Sequence, residues 1–316
     1  MLENLVFSVN AVLPIFLVMV IGMVLKKLKI VDYNGAKQMN AVLFNCALPV
    51  KLFMDVSSSN FAELMDIKLI LYAVGTTLAW FFICWGASFI FAPERQMKGA
   101  FIQASYRSNY AILGLPLLNS IMGGNVSKAA IITTFVVPLY NILSVLILTI
   151  YSGEKISPKQ TLVKAARNVA KNPLIIGILI GIAFSIIKIP IPKAINKTLG
   201  YMADLSTPLA LVSIGASMDF SKVKAKLKPA MVVAFLKLVA MPLIFIPIAF
   251  LINMPPENIV ILFVMYAAPT AISSYVMAVN MGSDEYLASN AILLTSLLSI
   301  ITYTIGVYIL RVMGIV

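Results

Sequence analysis

The sequence predicts an all-α polytopic membrane protein with ten transmembrane helices arranged as two inverted five-helix repeats. Three observations support this fold class: the composition, the number of long apolar segments and a pattern that recurs along the chain. Of the 316 residues, 61% are hydrophobic and 11% are charged, whereas roughly a quarter of the residues of a soluble domain are charged. The chain therefore belongs in a lipid bilayer rather than in water.

Ten apolar segments have about the length that a helix needs to cross the hydrocarbon core of a bilayer. They lie at 6–28, 36–56, 69–92, 97–121, 128–151, 172–189, 195–218, 229–253, 258–281 and 286–312. Positive charges follow the first segment and do not precede it, so we expect a retained span and not a cleaved signal peptide.

A proline-punctuated pattern in the first half recurs without gaps 159 positions later. The matching positions are Pro14 and Pro173, Gly22 and Gly181, Lys29-Ile30 and Lys188-Ile189, Pro49 and Pro208, and Phe61 and Phe220. In the same alignment Asn45 falls on Asp204. The pattern divides the chain into a first repeat at 1–151, a basic linker at 152–171 and a second repeat at 172–316. Internal repeats of apolar segments are typical of membrane transporters.

The basic residues of the loops predict the orientation. Loops on one side of the ten segments contain fifteen Lys and Arg residues, and those on the other side, with the chain ends, contain seven. The richer side should be cytoplasmic, which places both termini outside the cell membrane. An odd number of spans in each repeat then makes the second repeat an inverted copy of the first. Lys188, Lys193 and Lys197 fall on the outer side and weaken this assignment.

The composition also excludes several functions. The net charge of +12 arises mainly from these loops, where basic residues orient helices, so we expect no nucleic-acid partner. The chain has no histidine, which excludes His-ligated zinc sites, histidine proton relays and Ser-His-Asp catalysis. Cys46 and Cys84 lie within apolar segments and lack metal-binding spacing. We expect no cofactor or metal, apart from a coupling H⁺ or Na⁺.

Two apolar segments contain matched helix breakers. In segment four, Gly114 precedes Pro116, and in segment nine Pro269 follows two alanines. Proline removes a backbone donor and clashes with the carbonyl four residues earlier, so we expect each helix to break at its proline. Freed backbone groups in lipid need protein or water partners. The pair therefore favours a shared polar cavity, with simple kinks in two packed helices as the alternative.

Three charged residues lie deep within the segments, where a lipid-facing position is costly. Arg107 either grips a carboxylate substrate with its two-pronged guanidinium or serves as a counterion for Asp204 or helix carbonyls. Asp204 is either a proton or sodium site or one half of a fixed ion pair. Lys237 either reaches the cytoplasmic interface or takes the place of a coupling cation. Asn45 is expected to form hydrogen bonds between helices at the same interface as Asp204.

The sequence resembles the auxin efflux carrier family over nearly the whole chain. The resemblance rests on the ten segments, on Arg107-Ser108-Asn109 ahead of Gly114-Leu115-Pro116, and on the Ala267-Ala268-Pro269 break. The resemblance implies a fold shared with bile-acid sodium symporters, with a scaffold of spans 1, 2, 6 and 7. Spans 3–5 and 8–10 would form a mobile transport unit in which spans 4 and 9 break and cross. Plant members carry Pro-Asn at each crossing, and the matching positions here are Pro116-Leu117 and Pro269-Thr270. This departure shifts carboxylate binding toward Arg107, Asn109, Thr270 and free helix N-termini.

These observations predict a secondary transporter that moves small organic anions, such as malate-like dicarboxylates or auxin-like acids, by elevator-type alternating access. The expected substrate-binding residues are Asn45, Arg107, Asn109, Gly114, Pro116, Pro269, Thr270 and Ser273. The expected ion-coupling residues are Asp204 and Lys237. A sodium/proton antiporter of the same architecture is the alternative, and an enzyme is not expected. The expected partners are the anion and the lipid bilayer, and a homodimer is left open.

Overall fold

Helices form all the regular elements in the residues that the computed structural model describes, which are 2–57, 65–123, 126–151, 171, 173–217 and 226–316. The helices are α1 (Leu2–Lys27), α2 (Tyr33–Val42), α3 (Leu48–Ser57), α4 (Ile67–Phe91), α5 (Arg95–Tyr106), α6 (Leu115–Ile121), α7 (Ser127–Tyr151), α8 (Pro173–Ile187), α9 (Lys193–Ser217), α10 (Leu227–Phe235), α11 (Met241–Leu251), α12 (Pro256–Ala267), α13 (Ser273–Asn280) and α14 (Glu285–Val312). The predicted all-α class is confirmed. The linker at 152–171 lies outside the described residues except for Lys171.

The described residues of each of the ten predicted apolar segments are mostly helical, with breaks in segments four and nine. Among the residues that the structure describes, five helical stretches are long and apolar enough to cross a membrane by their length and composition: Ile67–Phe91, Ser127–Tyr151, Lys193–Ala216, Leu227–Leu251 and Glu285–Val312. Their outer faces carry large apolar side chains, such as Phe82 and Ile90 on α4, which are exposed on the surface of the chain. These features are those of a polytopic membrane protein.

In the described part of the chain three π-helical turns interrupt the α-helices: π1 (Leu43–Ala47), π2 (Tyr110–Gly114) and π3 (Leu236–Ala240). Each is followed two residues later by a proline, Pro49, Pro116 or Pro242. A π turn widens the helix by one residue, so it accommodates a proline that has no N–H to donate and clashes with the preceding turn. The chain therefore stays helical through these three prolines.

The break in segment four lies earlier than the sequence predicted. α5 ends at Tyr106, and the backbone of Arg107 is extended, whereas Pro116 lies at the start of α6 within continuous helix. The prediction of a break at Gly114 and Pro116 is wrong because π2 absorbs the proline. In segment nine α12 ends at Ala267, and the break falls at Pro269 as predicted.

Glycines allow two pairs of helices to approach closely. A Cβ atom on Gly22 of α1 would collide with the backbone of α9 at Val212. A Cβ atom on Gly181 of α8 would meet the backbone of α3 at Phe53. Gly22 and Gly181 are partners in the 159-residue alignment. The first helix of each half therefore packs against the second helical segment of the other half.

Polar contacts join four helix ends on one side of the molecule. Asn258, at the start of α12, donates from Nδ2 to Oδ2 of Asp66 at 2.7 Å. Lys128, at the start of α7, lies 3.6 Å from the same carboxylate. Lys68, at the start of α4, donates to the carbonyl of Ile252 just after α11 at 2.6 Å. The starts of α4, α7 and α12 and the end of α11 therefore lie together.

A second set of contacts joins other helix ends. Lys226, just before α10, forms an ion pair with Glu94, just before α5, at 2.5 Å. Ser283, between α13 and α14, donates from Oγ to the carbonyl of Gln96 at 2.7 Å. The starts of α5, α10 and α14 are therefore neighbours.

Candidate functional site

The two helix breaks pair with each other. Ser108 and Thr270 form an isolated antiparallel bridge, and the N–H of Asn109 donates to the carbonyl of Pro269 at 2.7 Å. The α5 and α12 helices end at this point, and π2 and α13 begin beyond it. The pairing supplies partners for backbone groups that the breaks release, which lipid could not do. We call this pairing of residues 107–109 with 268–272 the crossing.

At the crossing, one side-chain hydroxyl from each break donates to a backbone carbonyl of the other helix. Ser108 donates from Oγ to the carbonyl of Met265 near the end of α12, at 2.8 Å. Thr270 donates from Oγ1 to the carbonyl of Ala104 near the end of α5, at 2.7 Å. Each break thus satisfies a carbonyl that the other helix leaves without a partner at its C-terminal end. Each break therefore supplies a hydrogen bond that the other helix end needs.

Arg107 lies at the C-terminal end of α5 and is 7% exposed. Its Nη2 donates to Oδ1 of Asn141 at 2.8 Å and to Oγ of Ser273 at 2.9 Å. Its Nη1 donates to Oγ of Ser144 at 3.3 Å and contacts the sulfur of Met277. Helices α5, α7 and α13 therefore converge on one guanidinium group.

All of these partners are neutral. The ion pairs among the described residues do not include Arg107, so the alternative in which Asp204 is its counterion is not what the structure has. A buried charge is costly unless an opposite charge or several hydrogen bonds compensate it. The guanidinium is therefore compensated by hydrogen bonds, and none of its ion pairs or hydrogen-bond partners among the described residues supplies a negative charge.

Of the other predicted site residues in segments four and nine, Asn109, Pro269, Thr270 and Ser273 lie at or next to the crossing, whereas Gly114 and Pro116 lie beyond it. Asn109 is buried, and its side chain makes no hydrogen bond with the described residues. Ser273 begins α13 and is exposed while it accepts from Arg107. Gly114 packs against the ring of Tyr110 within π2. Ser108-Asn109 lies opposite Pro269-Thr270 at the crossing, and Pro116-Leu117, which the sequence predicted for that position, lies in α6.

Pro116 instead lines a small cavity between α3, α9 and the π2–α6 segment. Lys51 and Ser206 contribute its polar side chains, and Ile112 is among its apolar ones. Its volume is about 10 Å³, roughly the space that one water requires. The cavity is too small for a carboxylate substrate.

Lys237 lies in π3 and is fully buried, with 0% of its surface exposed. Its Nζ donates to the carbonyl of Tyr266 at 2.9 Å, one residue before the end of α12, and lies 3.7 Å from the sulfur of Met241. The expectation that Lys237 reaches the cytoplasmic interface is therefore wrong. The π turn before Pro242 is the element that directs this side chain toward the crossing.

Asn45 and Asp204 are not in contact with the crossing. Asn45 lies in π1, is exposed, and donates from Nδ2 to the carbonyl of Ala41 in its own helix at 2.8 Å. Asp204 is exposed on α9, on the same helix face as Tyr201 and Leu205, which are also exposed. The expectation that Asp204 packs in the interior does not match this placement.

Asn141 and Ser144, which position Arg107, are not among the residues predicted from the sequence. Both are polar residues in the apolar segment five, three positions apart, and such a spacing places them on one helix face. That spacing is the signal in the sequence that could have identified them. Ser108 was not predicted either, because its role at the crossing depends on where the helix breaks.

A polytopic membrane protein in which two paired helix breaks present a buried cation belongs to the class of membrane transporters. The family model of the Membrane transport protein family matches residues 7–307. The chain therefore belongs to this family, the auxin efflux carrier family, and the resemblance read from the sequence is confirmed.

Individual relatives agree over nearly their whole length. The chain is 26% identical to the "Putative malonate transporter" of Rhizobium meliloti over 306 residues, covering 95% of each chain. It is 22% identical to the "Uncharacterized transporter YfdV" of Escherichia coli over 315 residues, covering 98% of this chain and 100% of the relative. It is also 22% identical to an "Uncharacterized transporter" of Methanothermobacter thermautotrophicus over 302 residues, covering 93% and 96%. The family and these relatives are described as membrane transporters, not as enzymes.

Proposed function

We propose that this protein is a secondary transporter of small organic anions that works by alternating access. The observation that carries the proposal is the buried guanidinium of Arg107, which lies at the crossing with only neutral partners. A carboxylate bound there would supply the missing negative charge. A guanidinium can also hold both oxygens of a carboxylate at once, a geometry that suits planar carboxylates and that phosphate shares.

The surroundings of Arg107 support an anion over a cation. The N-terminus of α13 begins at Ser273, whose hydroxyl touches the guanidinium, and helix N-termini attract anions. The amide of Asn109 is free to donate to a second oxygen. The name of the Rhizobium meliloti relative refers to malonate, which is a small dicarboxylate. Malonate-like and malate-like acids are therefore the first substrates to test, and auxin-like acids the second.

The two sets of helix-end contacts support ten spans. If every apolar segment crosses the membrane, the starts of α4, α7 and α12 and the end of α11 fall outside. The starts of α5, α10 and α14 then fall inside. The contacts of Asp66 with Asn258 and of Lys226 with Glu94 join ends within each of these groups. The reciprocal packing of Gly22 and Gly181 supports an inverted repeat.

The grouping of the helices supports an elevator mechanism. Helices α1, α3, α8 and α9 pack together through the glycine contacts, and they would form the scaffold of spans 1, 2, 6 and 7. The hydrogen bonds of the crossing and of Arg107 join spans 4, 5, 9 and 10, the last through the N–H of Thr270, which donates to Oγ1 of Thr295 on α14 at 3.1 Å. These spans would move as one unit with spans 3 and 8. The cavity at Lys51 and Pro116 lies between the two groups, and it has to widen to admit a substrate.

Coupling to H⁺ or Na⁺ is part of the proposal, with Asp204 as the titrating or cation-binding residue outside the crossing. A coupling ion drives transport only if it binds the two conformations with different affinities. We expect Asp204→Asn to retain downhill exchange and to lose accumulation against a gradient. Accumulation by Asp204→Asn proteoliposomes at the wild-type level would show that coupling lies elsewhere.

A sodium/proton antiporter remains the second candidate because it shares the architecture. Such a carrier needs acidic residues that exchange protons for a metal ion. The described residues contain no group of three or more His, Cys, Asp or Glu side chains close enough to hold a metal. A buried arginine at the crossing also repels a cation, so the anion transporter is the better account.

The proposal is tested with purified protein and a panel of mono-, di- and tricarboxylates and indole acids, each with and without sodium. We expect at least one carboxylate to raise the thermal unfolding temperature in a saturable way, because a ligand that binds only the folded state stabilises it. Proteoliposomes should then take up the same compound chemically unchanged. A panel with no stabilising anion, together with Na⁺-driven proton flux, would favour the antiporter.

A further inference from the structure

The two helices that end at the crossing differ in how their C-termini are compensated. The last carbonyls of a helix have no partner within it and together carry about half a negative charge. At the end of α5, Thr270 donates to the carbonyl of Ala104 at 2.7 Å, and Trp80 donates from Nε1 to that of Ser105 at 3.0 Å. Both donors are neutral. The α5 end therefore has its hydrogen bonds without a counter-charge bound to its carbonyls.

The end of α12 has one charged donor. The hydroxyl of Tyr303 donates to the carbonyl of Val264 at 3.1 Å, and Ser108 donates to the next carbonyl. The third carbonyl, that of Tyr266, accepts from the Nζ of Lys237 at 2.9 Å. Lys237 forms none of the ion pairs found among the described residues. Its positive charge therefore lies next to the partial negative charge at the C-terminal end of α12.

We infer that Lys237 is a built-in cation that takes, at the C-terminal end of α12, the place where a sodium-coupled carrier would hold Na⁺. Half-helix C-terminal ends and unwound carbonyls are the groups that hold Na⁺ in broken-helix carriers. The carbonyl of Tyr266 is such a group, and Lys237 already occupies it. A second cation on the same oxygen would lie within a few ångströms of the ammonium and be repelled.

The residues of this end of the crossing therefore do not fit a sodium ion. The inference rests on the proposed transport function only in its consequence that Na⁺ at the crossing does not drive transport. The binding chemistry itself is independent of any organic substrate.

The first test measures the thermal unfolding temperature of the purified wild-type protein in NaCl, LiCl, KCl and choline chloride at equal ionic strength. We expect no saturable difference between Na⁺ and choline, because the cation site is filled by the chain. A saturable stabilisation by Na⁺ in the wild type, retained in Asp204→Asn, would overturn the inference. If Asp204→Asn removed it, the ion would be bound at Asp204 and the crossing would be sodium-free as inferred.

The second test removes the ammonium. Lys237→Ala leaves the Tyr266 carbonyl without its donor and opens space, so we expect the unfolding temperature to fall by several degrees and Na⁺ or Li⁺ to restore part of the loss. Lys237→Met keeps most of the side-chain volume, and we expect a fall without room for rescue. The matched control is Lys228→Ala, which changes an exposed lysine of α10 and should leave both the unfolding temperature and the ion response unchanged.

Two results would contradict a built-in cation. One is an unchanged unfolding temperature in Lys237→Met, which would make the side chain a packing element. The other is a Lys237→Ala protein that is destabilised yet responds equally to sodium and choline. If Lys237→Ala is not recovered folded, the sodium response is tested with Lys237→Arg, since arginine keeps the positive charge. It should match the wild type in having no sodium response.

Discussion

The two breaks of the crossing have the same backbone plan and opposite electrostatics. α5 and α12 both end with an extended residue, Arg107 or Ala268, and each lends a hydroxyl to the other. At the first break the cation is part of the break itself and binds only neutral side chains. At the second break the cation comes from π3, as Lys237, and binds the helix end.

This difference separates two roles that a positive charge has near a broken helix. The charge of Lys237 is engaged by a backbone carbonyl and stabilises the fold of the crossing. The charge of Arg107 is held in place by neutral hydrogen-bond partners, which fix its position without cancelling its charge. Only the arrangement of Arg107 leaves an electrostatic reason to bind an anion.

The largest effect is expected in the side of the membrane from which introduced cysteines are labelled. This labelling tests whether the two breaks belong to inverted copies. Asn34 and Lys193 are partners in the 159-residue alignment and both are exposed. In a protein with Cys46 and Cys84 replaced by serine, we expect a cysteine at position 34 to react with a membrane-impermeant thiol reagent only from the cytoplasm. A cysteine at position 193 should react only from outside. Labelling of both from one face would mean that the halves are parallel copies, and the equivalence of the two breaks would be lost.

The next effect is on substrate affinity. Removing the guanidinium in Arg107→Ala should weaken carboxylate binding by about 1.5–3 kcal/mol, the range for hydrogen bonds to charged groups, or about tenfold to 150-fold in Kd. Arg107→Lys should recover only part of this, because an ammonium lacks the two-pronged geometry. The measurement is isothermal titration with the best carboxylate from the panel.

Arg95→Ala is the matched control for Arg107, since Arg95 is an exposed arginine of the same helix that donates to the carbonyl of Ile150. It should bind substrate as the wild type does. Equal affinities for the wild type and a folded Arg107→Ala protein would reduce Arg107 to a structural role, as Lys237 has at the other break.

The sequence predicted the helices closely and the breaks unevenly. Segment boundaries follow from hydrophobic length, which a membrane imposes directly, so the predicted limits 69–92 and 128–151 nearly match α4 and α7. The break at Pro269 was found because proline ends that helix. The break at Arg107–Asn109 was missed because the π turn before Pro116 keeps the chain helical there, and a sequence does not reveal which prolines a π turn accommodates.

Individual site residues divide in the same way. Arg107 and Ser273 could be predicted from charge depth and from the nearby proline, and the structure brings them together. Asp204 could not be placed, because its depth in a segment says nothing about which helix face it occupies. The contact between Lys237 and Tyr266 depends on the register of π3, which shifts the side chain around the helix by an amount that no local pattern encodes.

A smaller effect is expected when the hydroxyls of Ser108 and Thr270 are removed one at a time. The two variants compare how much each hydroxyl contributes to stability. Thr270→Val and Ser108→Ala each leave a buried carbonyl without its donor, so each should lower the free energy of unfolding by about 1–3 kcal/mol. Thr198→Val removes an exposed hydroxyl that binds only its own helix and should change stability by less than about 0.5 kcal/mol. Thermal unfolding in detergent is the measurement. A loss confined to one of the two variants would show that the breaks do not support each other reciprocally.

The smallest effect concerns the far end of α12, where Asp66 accepts from Asn258 and lies near Lys128. Partial burial raises the pKa of Asp66, but the hydrogen bonds from Asn258 and from the backbone of Leu69, together with the charge of Lys128, outweigh it and hold the pKa below 3.8. A lowered folded-state pKa means that the ionised carboxylate stabilises the fold above the unfolded pKa. This stabilisation is lost as the pH falls through the folded pKa.

Asp66→Asn should therefore cost less than about 1 kcal/mol at neutral pH, because the ion pair is partly solvent-exposed. Asparagine caps a helix about as well as aspartate does, so the difference reports the charge. The unfolding temperatures of the wild type and the variant should converge as the pH falls below 3.8. The control is Asp284→Asn, which makes the same substitution at the N-cap of α14, where the aspartate forms no ion pair with the described residues. It measures the effect of replacing an N-cap aspartate when no ion pair is lost. A gap between wild type and Asp66→Asn that stays constant down to the acid limit would mean that α12 is held at this end by hydrogen bonding alone, as the α5 end is held at the crossing.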